Sequence, residues 1–132
     1  MTQTTVPLDL NQCLVLAHTD LGFAAHASRQ FRLMGWEVYL AQTAADARRL
    51  TEKLAPAVVV LDVNLTDESG WLVCDKLIRK HPGHKVFLIA TDPMPEYERL
   101  ASFVGAAALV SQRDGVAELV HEVLESALPA SR

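Results

Sequence analysis

The sequence contains no cluster of basic residues, no long apolar segment and only two cysteines. Its formal net charge is −4 at pH 7, and direct binding of nucleic acid is not expected because phosphate contacts need clustered Lys and Arg. The apolar runs reach only about six residues, whereas a helix needs ~20 to span a membrane, so we expect no membrane partner. Residues 1–9 are polar and carry no positive charge, which argues against a signal peptide and favours a cytoplasmic location.

The two cysteines, Cys13 and Cys74, both lie within apolar segments. Buried thiols of this kind usually stay reduced in a cytoplasmic protein. We therefore expect two buried thiols, with a disulfide or a redox role as the alternative.

Half of the 132 residues are hydrophobic and 21% are charged, which is typical of a globular domain. Short apolar runs alternate along the chain with segments of helical periodicity. The runs predict strands at 13–17, 37–41, 57–61, 86–90 and 107–110. The periodic segments predict helices at 20–34, 43–54, 70–80, 95–104 and 115–128.

This alternation predicts an α/β fold with a doubly wound five-stranded parallel sheet of the flavodoxin-like type, in the strand order 2-1-3-4-5. Residues 11–128 would form the single domain, between a flexible N-terminal segment, 1–10, and a C-terminal tail, 129–132. In such folds ligands bind at the carboxyl ends of the strands, beside the point where the strand order reverses.

The stretch VVVLDVNLTDESGW, residues 58–71, leads a buried strand directly into Asp62. The first predicted strand leads into His18, Thr19 and Asp20, so these four residues are expected near the reversal point. Asp62 is therefore a candidate functional residue. The alternative is that its carboxylate caps the following loop through its side chain.

The same stretch resembles the third strand, the phosphoacceptor aspartate and the following loop of bacterial response-regulator receiver domains. The spacing from Asp62 to Gly70 is that of the family, and FVGAAALVSQ, residues 103–112, is similar to the family's segment leading into strand five. The resemblance implies a (βα)5 receiver fold. It also implies transfer of a phosphoryl group from a histidine or a small phosphodonor to Asp62, assisted by a divalent metal, usually Mg²⁺.

The rest of the implied pocket departs from the family. His18 and Thr19 stand where the family has two acidic metal ligands, and Gln112 stands where it has a lysine that contacts the phosphoryl group. Ala90 replaces the Thr or Ser that bonds this group, and Leu109 replaces the aromatic residue of the switch. Because Mg²⁺ prefers carboxylate oxygen and water, and the transferred charge has to be neutralised, these replacements predict weak or absent phosphorylation.

Some neighbouring residues could compensate for these losses. Asp20, together with Asp62, could bind Mg²⁺ weakly, and Asn64 keeps the position whose backbone carbonyl serves the metal. Thr91 and Arg113 could replace the missing hydroxyl and cation. Each of these compensations needs a slip of one residue, which turns a strand side chain to the opposite face.

Two further features leave alternatives open. His18 could bind a transition metal, but we expect it instead to pair with Asp62 and fill the space of the metal. Beyond weakly bound Mg²⁺ we expect no cofactor. Trp71 and Leu72 could mark a contact surface, or Trp71 could pack beneath the preceding loop.

Three functions are compatible with the sequence. The first is an atypical stand-alone receiver-like signalling domain that contacts a histidine kinase, an output protein or a second copy, the last through helix four, strand five and helix five. The second is a functional response regulator phosphorylated at Asp62 by a histidine kinase. The third is a flavin or nucleotide binder, which the lack of a Gly-rich loop in AHTDLGF disfavours. No nucleophile stands at a recognisable spacing from a base, so an enzyme is not expected.

Overall fold

Strands and α-helices alternate five times in the computed structural model, which describes residues 12–127. The strands are β1 Cys13–Ala17, β2 Glu37–Ala41, β3 Val58–Asp62, β4 Lys85–Ala90 and β5 Ala108–Ser111. The α-helices are α1 Leu21–Leu33, α2 Ala44–Leu54, α3 Gly70–Lys80, α4 Tyr97–Phe103 and α5 Gly115–Ala127, and a 3-10 turn, Gln112–Asp114, precedes α5. No helix among these residues is both long and apolar enough to cross a membrane. The predicted N-terminal segment, 1–10, and C-terminal tail, 129–132, lie outside the described residues.

The strands form a parallel sheet in the order β2-β1-β3-β4-β5. Alternate residues of a strand point to opposite faces, and both faces are apolar, as in parallel sheets covered by helices on each side. Val59 and Leu61 pack with residues of α2, α3 and α4, while Val58 and Val60 pack with residues of α1 and α5. The doubly wound, flavodoxin-like α/β fold predicted from the sequence is confirmed.

Several predicted boundaries differ from the observed ones by one or two residues. The third strand runs to Asp62, so this carboxylate belongs to the last residue of β3 rather than to the loop. The first helix begins one residue after Asp20, which is its N-cap and accepts a hydrogen bond from the amide of Phe23. The fourth helix is Tyr97–Phe103 rather than 95–104, because a turn occupies the residues before it.

Gly70 allows α3 to begin directly against the end of β3. A Cβ atom at this position would lie 2.3 Å from the carbonyl oxygen of Asp62 and 2.8 Å from the Cα atom of Val63. Backbone atoms of a buried strand cannot move aside as the end of a flexible side chain can, so only glycine fits without a shift. The spacing between Asp62 and Gly70 therefore has a packing role beside the carboxylate.

Cys13 and Cys74 are both buried thiols, as the sequence predicts. Burial raises the pKa of Cys74 to about 12. Its thiol is therefore protonated at neutral pH and has little of the thiolate character that redox chemistry requires.

Candidate functional site

The carboxyl ends of β1, β3 and β5 bring together the residues that the sequence places near the reversal point. Asp62 ends β3 and is 5% exposed, while His18 follows β1 and is 2% exposed. Thr19 and Asp20 come next in the chain and are exposed. Gln112 begins the 3-10 turn after β5 and contacts both His18 and Asp20. These five residues are called the strand-end network below.

Both carboxylate oxygens of Asp62 already have hydrogen-bond donors within the chain. Oδ1 accepts from the backbone amide of Asn64 at 2.9 Å, and Oδ2 accepts from the hydroxyl of Thr19 at 3.3 Å. The first bond closes the turn after β3, which is the loop-capping role that the sequence left open for Asp62. A metal ion or a phosphoryl group on Oδ2 would compete with the second bond.

His18 is neutral in this arrangement, as its two hydrogen bonds require. Its Nδ1 accepts from the amide of Asp20 at 2.9 Å, so the ring proton is on Nε2, which donates to Oε1 of Gln112 at 2.9 Å. Nδ1 also lies 3.6 Å from Oδ2 of Asp62. This distance is too long for a hydrogen bond, and no proton lies between the two atoms. The expected pairing of His18 with Asp62 is therefore a contact and not a hydrogen-bonded ion pair.

The side-chain amide of Gln112 bridges the segments that follow β1 and β5. Its Oε1 accepts from His18, and its Nε2 donates to Oδ2 of Asp20 at 3.2 Å. An uncharged amide with both ends occupied thus stands where the resemblance implies a lysine. The sequence revealed the missing charge but not the bridge, because the two partners lie 94 and 92 residues away along the chain.

Asp20 is also engaged by neighbouring groups. Its Oδ1 caps α1 by accepting from the amide of Phe23 at 3.1 Å, and its Oδ2 accepts from Gln112. The bond from the Phe23 amide is the main reason that the pKa of Asp20 lies below its usual value. Within residues 12–127, no group of three His, Cys, Asp or Glu side chains is arranged to hold a metal ion. The predicted Mg²⁺ ligands Asp20 and Asp62 belong to no such group, and both carboxylates already accept hydrogen bonds within the chain.

The residues that could compensate for the lost pocket groups lie at the surface. Arg113 forms an ion pair with Asp92 at 2.7 Å, and both side chains are exposed. Thr91 is exposed beyond the end of β4. At the two switch positions, Ala90 is buried and Leu109 is half-buried against the apolar cluster on the α2–α3 side of the sheet. Neither of these apolar side chains can hydrogen-bond a phosphoryl group.

Two carboxylates that the sequence analysis did not single out fix the loop between β3 and α3. Asp67 accepts hydrogen bonds from the first two amides of α2, at 2.8 and 3.0 Å, and these bonds hold its pKa below its usual value. Glu68 forms ion pairs with Arg48 of α2 and Lys76 of α3. Short-range patterns do not reveal the contacts with α2, because these partners lie at least 20 residues upstream.

Trp71 is half-buried and packs against the first residue of α4. Its ring lies edge-on to that of Tyr97, with the ring centroids 5.2 Å apart. Leu72, in contrast, is 47% exposed. The joint contact surface of Trp71 and Leu72 stays a prediction, in which Leu72 supplies the more exposed apolar side chain.

The outer side of α4 presents an apolar groove. Phe103 is 81% exposed and Leu100 is 37% exposed. Together with Glu96 and Arg99 they line a shallow depression along one side of the helix, as the spacing of three and four residues requires. These four residues are called the α4 groove below.

Several solved structures that are similar to this chain are receiver domains or response regulators. A receiver domain protein from Methanospirillum hungatei JF-1 superposes with a TM-score of 0.82 over 89% of this chain and 94% of its own, at 19% identity. A DNA-binding response regulator from Staphylococcus aureus superposes with a TM-score of 0.81 over 89% of this chain and 99% of its own, at 24% identity. The non-phosphorylated HemR receiver domain from Leptospira biflexa superposes with a TM-score of 0.81 over 91% of this chain and 96% of its own, at 20% identity. The receiver fold predicted from the sequence is thereby confirmed.

One known protein is similar in sequence. The adventurous-gliding motility protein Z of Myxococcus xanthus (strain DK1622) is 32% identical over 81 residues, which are 60% of this chain. The chain spans only 6% of the length of that protein. No family model matches the sequence.

Proposed function

We propose that this chain, which has the receiver-domain fold, is an atypical receiver-like signalling domain that acts through protein–protein contacts. Phosphorylation of Asp62 is weak or absent in this proposal. The bridge that Gln112 makes between His18 and Asp20 is the observation that carries it. The bridge puts an uncharged amide, already bonded at both ends, where a transferred phosphoryl group would need a cation.

The charge balance of the strand-end network supports this proposal. Phosphoryl transfer to a carboxylate brings two anions together, and their charge has to be neutralised in the transition state. The network offers a neutral imidazole, a hydroxyl and an amide for this purpose. Loss of one preorganised electrostatic contact costs ~3 kcal/mol of barrier, or a factor of about 100 in rate. Several such contacts are missing, and although their losses are not additive, they act in the same direction.

The alternative is a functional phosphoacceptor that receives a phosphoryl group from a histidine kinase. The position of Asp62 at the end of β3 favours this alternative. The burial of Asp62 and its bonds to Thr19 and to the amide of Asn64 favour a carboxylate with a structural role.

A flavin or nucleotide site is disfavoured for a separate reason. Phosphate groups bind the amides at the start of a helix, where the helix dipole also attracts them. In α1 this position is taken by the carboxylate of Asp20, which caps the amide of Phe23 and would repel a phosphate.

The face formed by α4, β5 and α5 is the proposed contact surface. The α4 groove lies along α4, one of the three elements of this face, and its exposed Phe103 is the feature that most favours a partner there. The partner in this proposal is another signalling protein, such as an output protein or a kinase, or a second copy of the chain.

A matched pair of proteins tests the proposed lack of phosphorylation. The natural chain is compared with the triple variant His18→Asp, Ala90→Thr and Gln112→Lys, which restores the groups that the resemblance implies. Both are incubated with acetyl phosphate and ~10 mM Mg²⁺, and the acyl phosphate is detected by intact mass and phosphate-affinity electrophoresis. We expect an adduct in the triple variant alone, and its loss when Asp62→Ala is added. An adduct on Asp62 of the natural chain in comparable yield would contradict the proposal.

A further inference from the structure

A cleft lies between α2 and α3, and residues outside the strand-end network line it. Its volume is about 270 Å³. Pockets that hold drug-sized ligands span ~300–1,000 Å³, so this cleft suits a compact ligand. Within residues 12–127, its charged lining residues are Arg48, Arg49, Glu52, Lys76 and Lys80. The cavity that they line is called the α2–α3 cleft below.

Cations outnumber carboxylates in the lining of this cleft. Among the described residues that line it, four Lys and Arg side chains stand against one carboxylate, that of Glu52. The two helices show the same excess. Together α2 and α3 carry six Lys or Arg and three Asp or Glu, a net charge of +3, whereas the whole chain carries −4. The cleft is therefore a positively charged cavity in an acidic protein.

The ion pairs of these cations do not cancel their charge. Glu68 is shared between Arg48 and Lys76, so it neutralises only one of them. Lys80 of α3 pairs with Glu52 of α2, and both of these side chains are more than half exposed. With the pair that Arg49 forms within α2, the four cations meet three carboxylates, and one positive charge remains. Exposed ion pairs contribute little to stability, so an anion of higher charge can displace them.

The side chains of the cleft favour phosphate groups as the ligand. Arginine can donate two parallel N–H bonds to a phosphate, and lysine adds a point charge. The arginines belong to α2, and Lys76 and Lys80 are neighbours one turn apart on α3. No Phe, Tyr or Trp among the described residues lines the cleft, so a nucleobase would find none of these rings to stack on. The phosphate groups are therefore the part of a ligand that the cleft recognises.

We infer that the α2–α3 cleft binds a compact anion with two or more linked phosphate groups, such as inorganic triphosphate or the phosphate chain of a nucleotide. Linked phosphate groups contact the cations of both helices, and one of them replaces Glu52 as the partner of Lys80. A single phosphate or sulfate has fewer oxygens and less charge to share between the two helices. The cleft has no described residue in common with the strand-end network or the α4 groove, so the site is independent of the proposed function.

Calorimetric titration of the intact chain tests the inference. The ligands are inorganic triphosphate, ATP, AMP and sulfate, each without divalent metal, at ~50 mM and ~300 mM sodium chloride. We expect triphosphate to bind one site with a dissociation constant below ~1 mM at the lower salt, and severalfold more weakly at the higher salt. AMP and sulfate are expected to bind at least tenfold more weakly than triphosphate. A lack of saturation with triphosphate, or equal binding of sulfate, would overturn the inference.

The comparison of triphosphate with ATP distinguishes the two sources of the phosphate chain. Equal or weaker binding of ATP would support the inference and identify free polyphosphate as the ligand. Tighter binding of ATP would support it and identify a nucleotide. Tighter binding of a hexaglutamate peptide than of triphosphate would overturn the inference, because the occupant would then be an acidic segment of a protein.

Adjacent residues of α3 provide matched variants that locate the site. Lys80→Gln is expected to weaken triphosphate binding at least fivefold. Glu52→Gln is expected to strengthen it severalfold, because the ligand no longer competes with a carboxylate for Lys80. The control Arg79→Gln removes a cation that is 75% exposed, is paired with Asp75 and lies outside the lining of the cleft, and it should change the affinity less than twofold. Equal losses in Lys80→Gln and Arg79→Gln, or weaker binding in Glu52→Gln, would overturn the inference.

Discussion

Replacement of Gly70 by alanine is expected to destabilise the protein although alanine favours a helix. The added Cβ would lie 2.3 Å from the carbonyl oxygen of Asp62, a distance that Cβ atoms do not reach in folded proteins. Overpacking in a core costs ~1–3 kcal/mol, and the upper part of this range applies because the obstacle is backbone. The higher helix propensity of alanine relative to glycine stabilises the helix by at most ~1 kcal/mol. The net loss in the free energy of unfolding is therefore about 2 kcal/mol.

Gly22→Ala is the matched control for this prediction. Gly22 lies in the first turn of α1, where an added Cβ would meet only Oδ1 of Asp20 at 3.5 Å, an ordinary contact distance. This variant is expected to gain up to ~1 kcal/mol, so urea denaturation should separate the two alanine variants by about 3 kcal/mol. The amide resonance of Asn64, which donates to Asp62, should shift in Gly70→Ala only. Equal stability of the two variants would refute the argument from close approach.

Three further predictions concern the carboxylates. Titration with Mg²⁺, followed by tryptophan fluorescence or NMR, should show no saturation below ~10 mM, because both carboxylates of the strand-end network already accept hydrogen bonds. A submillimolar dissociation constant for Mg²⁺ that disappears in Asp62→Ala would contradict this prediction. Asp62→Asn should change the free energy of unfolding by less than ~2 kcal/mol, since the side-chain carbonyl of asparagine can still accept a hydrogen bond from the amide of Asn64. A larger loss in chemical denaturation would make Asp62 an essential structural residue. Asp67→Asn should lower stability at neutral pH, and its deficit should shrink as the pH falls. Folding lowers the pKa of Asp67, so the carboxylate stabilises the fold above its unfolded-state pKa of 3.8, and this stabilisation is lost as the pH falls through the folded-state pKa. An equal loss of stability in Asp67→Asn at pH 7 and at low pH would refute this prediction.

The fold could be predicted because its information is local and periodic. The run from Val58 to Leu61 is short, mostly β-branched and apolar at every position, which is typical of a strand covered on both faces. The position of Asp62 then followed from the general rule that sites of this fold lie at the carboxyl ends of strands beside the reversal point. The end of β3 was misplaced by one residue, since an acidic side chain in a sequence marks a loop as readily as the end of a strand.

The contacts within the site could not be predicted, because tertiary packing decides them. The missing charge at Gln112 is visible in the sequence, but the bridge to His18 and Asp20 depends on how two distant segments meet. In the same way, Trp71 finds its partner in Tyr97 on another helix. A sequence pattern defines which groups are available at a site, whereas the fold decides which of them are already engaged.

The central claim is that Asp62 chemistry does not control the face formed by α4, β5 and α5. The most direct test is the NMR spectrum of the chain with and without beryllofluoride and Mg²⁺. Ala90 has no hydroxyl to follow a phosphoryl mimic, Leu109 has no aromatic ring to turn, and a ligand moves an equilibrium only through different contacts with the two states. We therefore expect no substantial shift in residues 90–110 or at the start of α5. Large shifts in those segments that disappear in Asp62→Ala would contradict the account and would show that a phosphorylation switch operates by another route, such as Thr91.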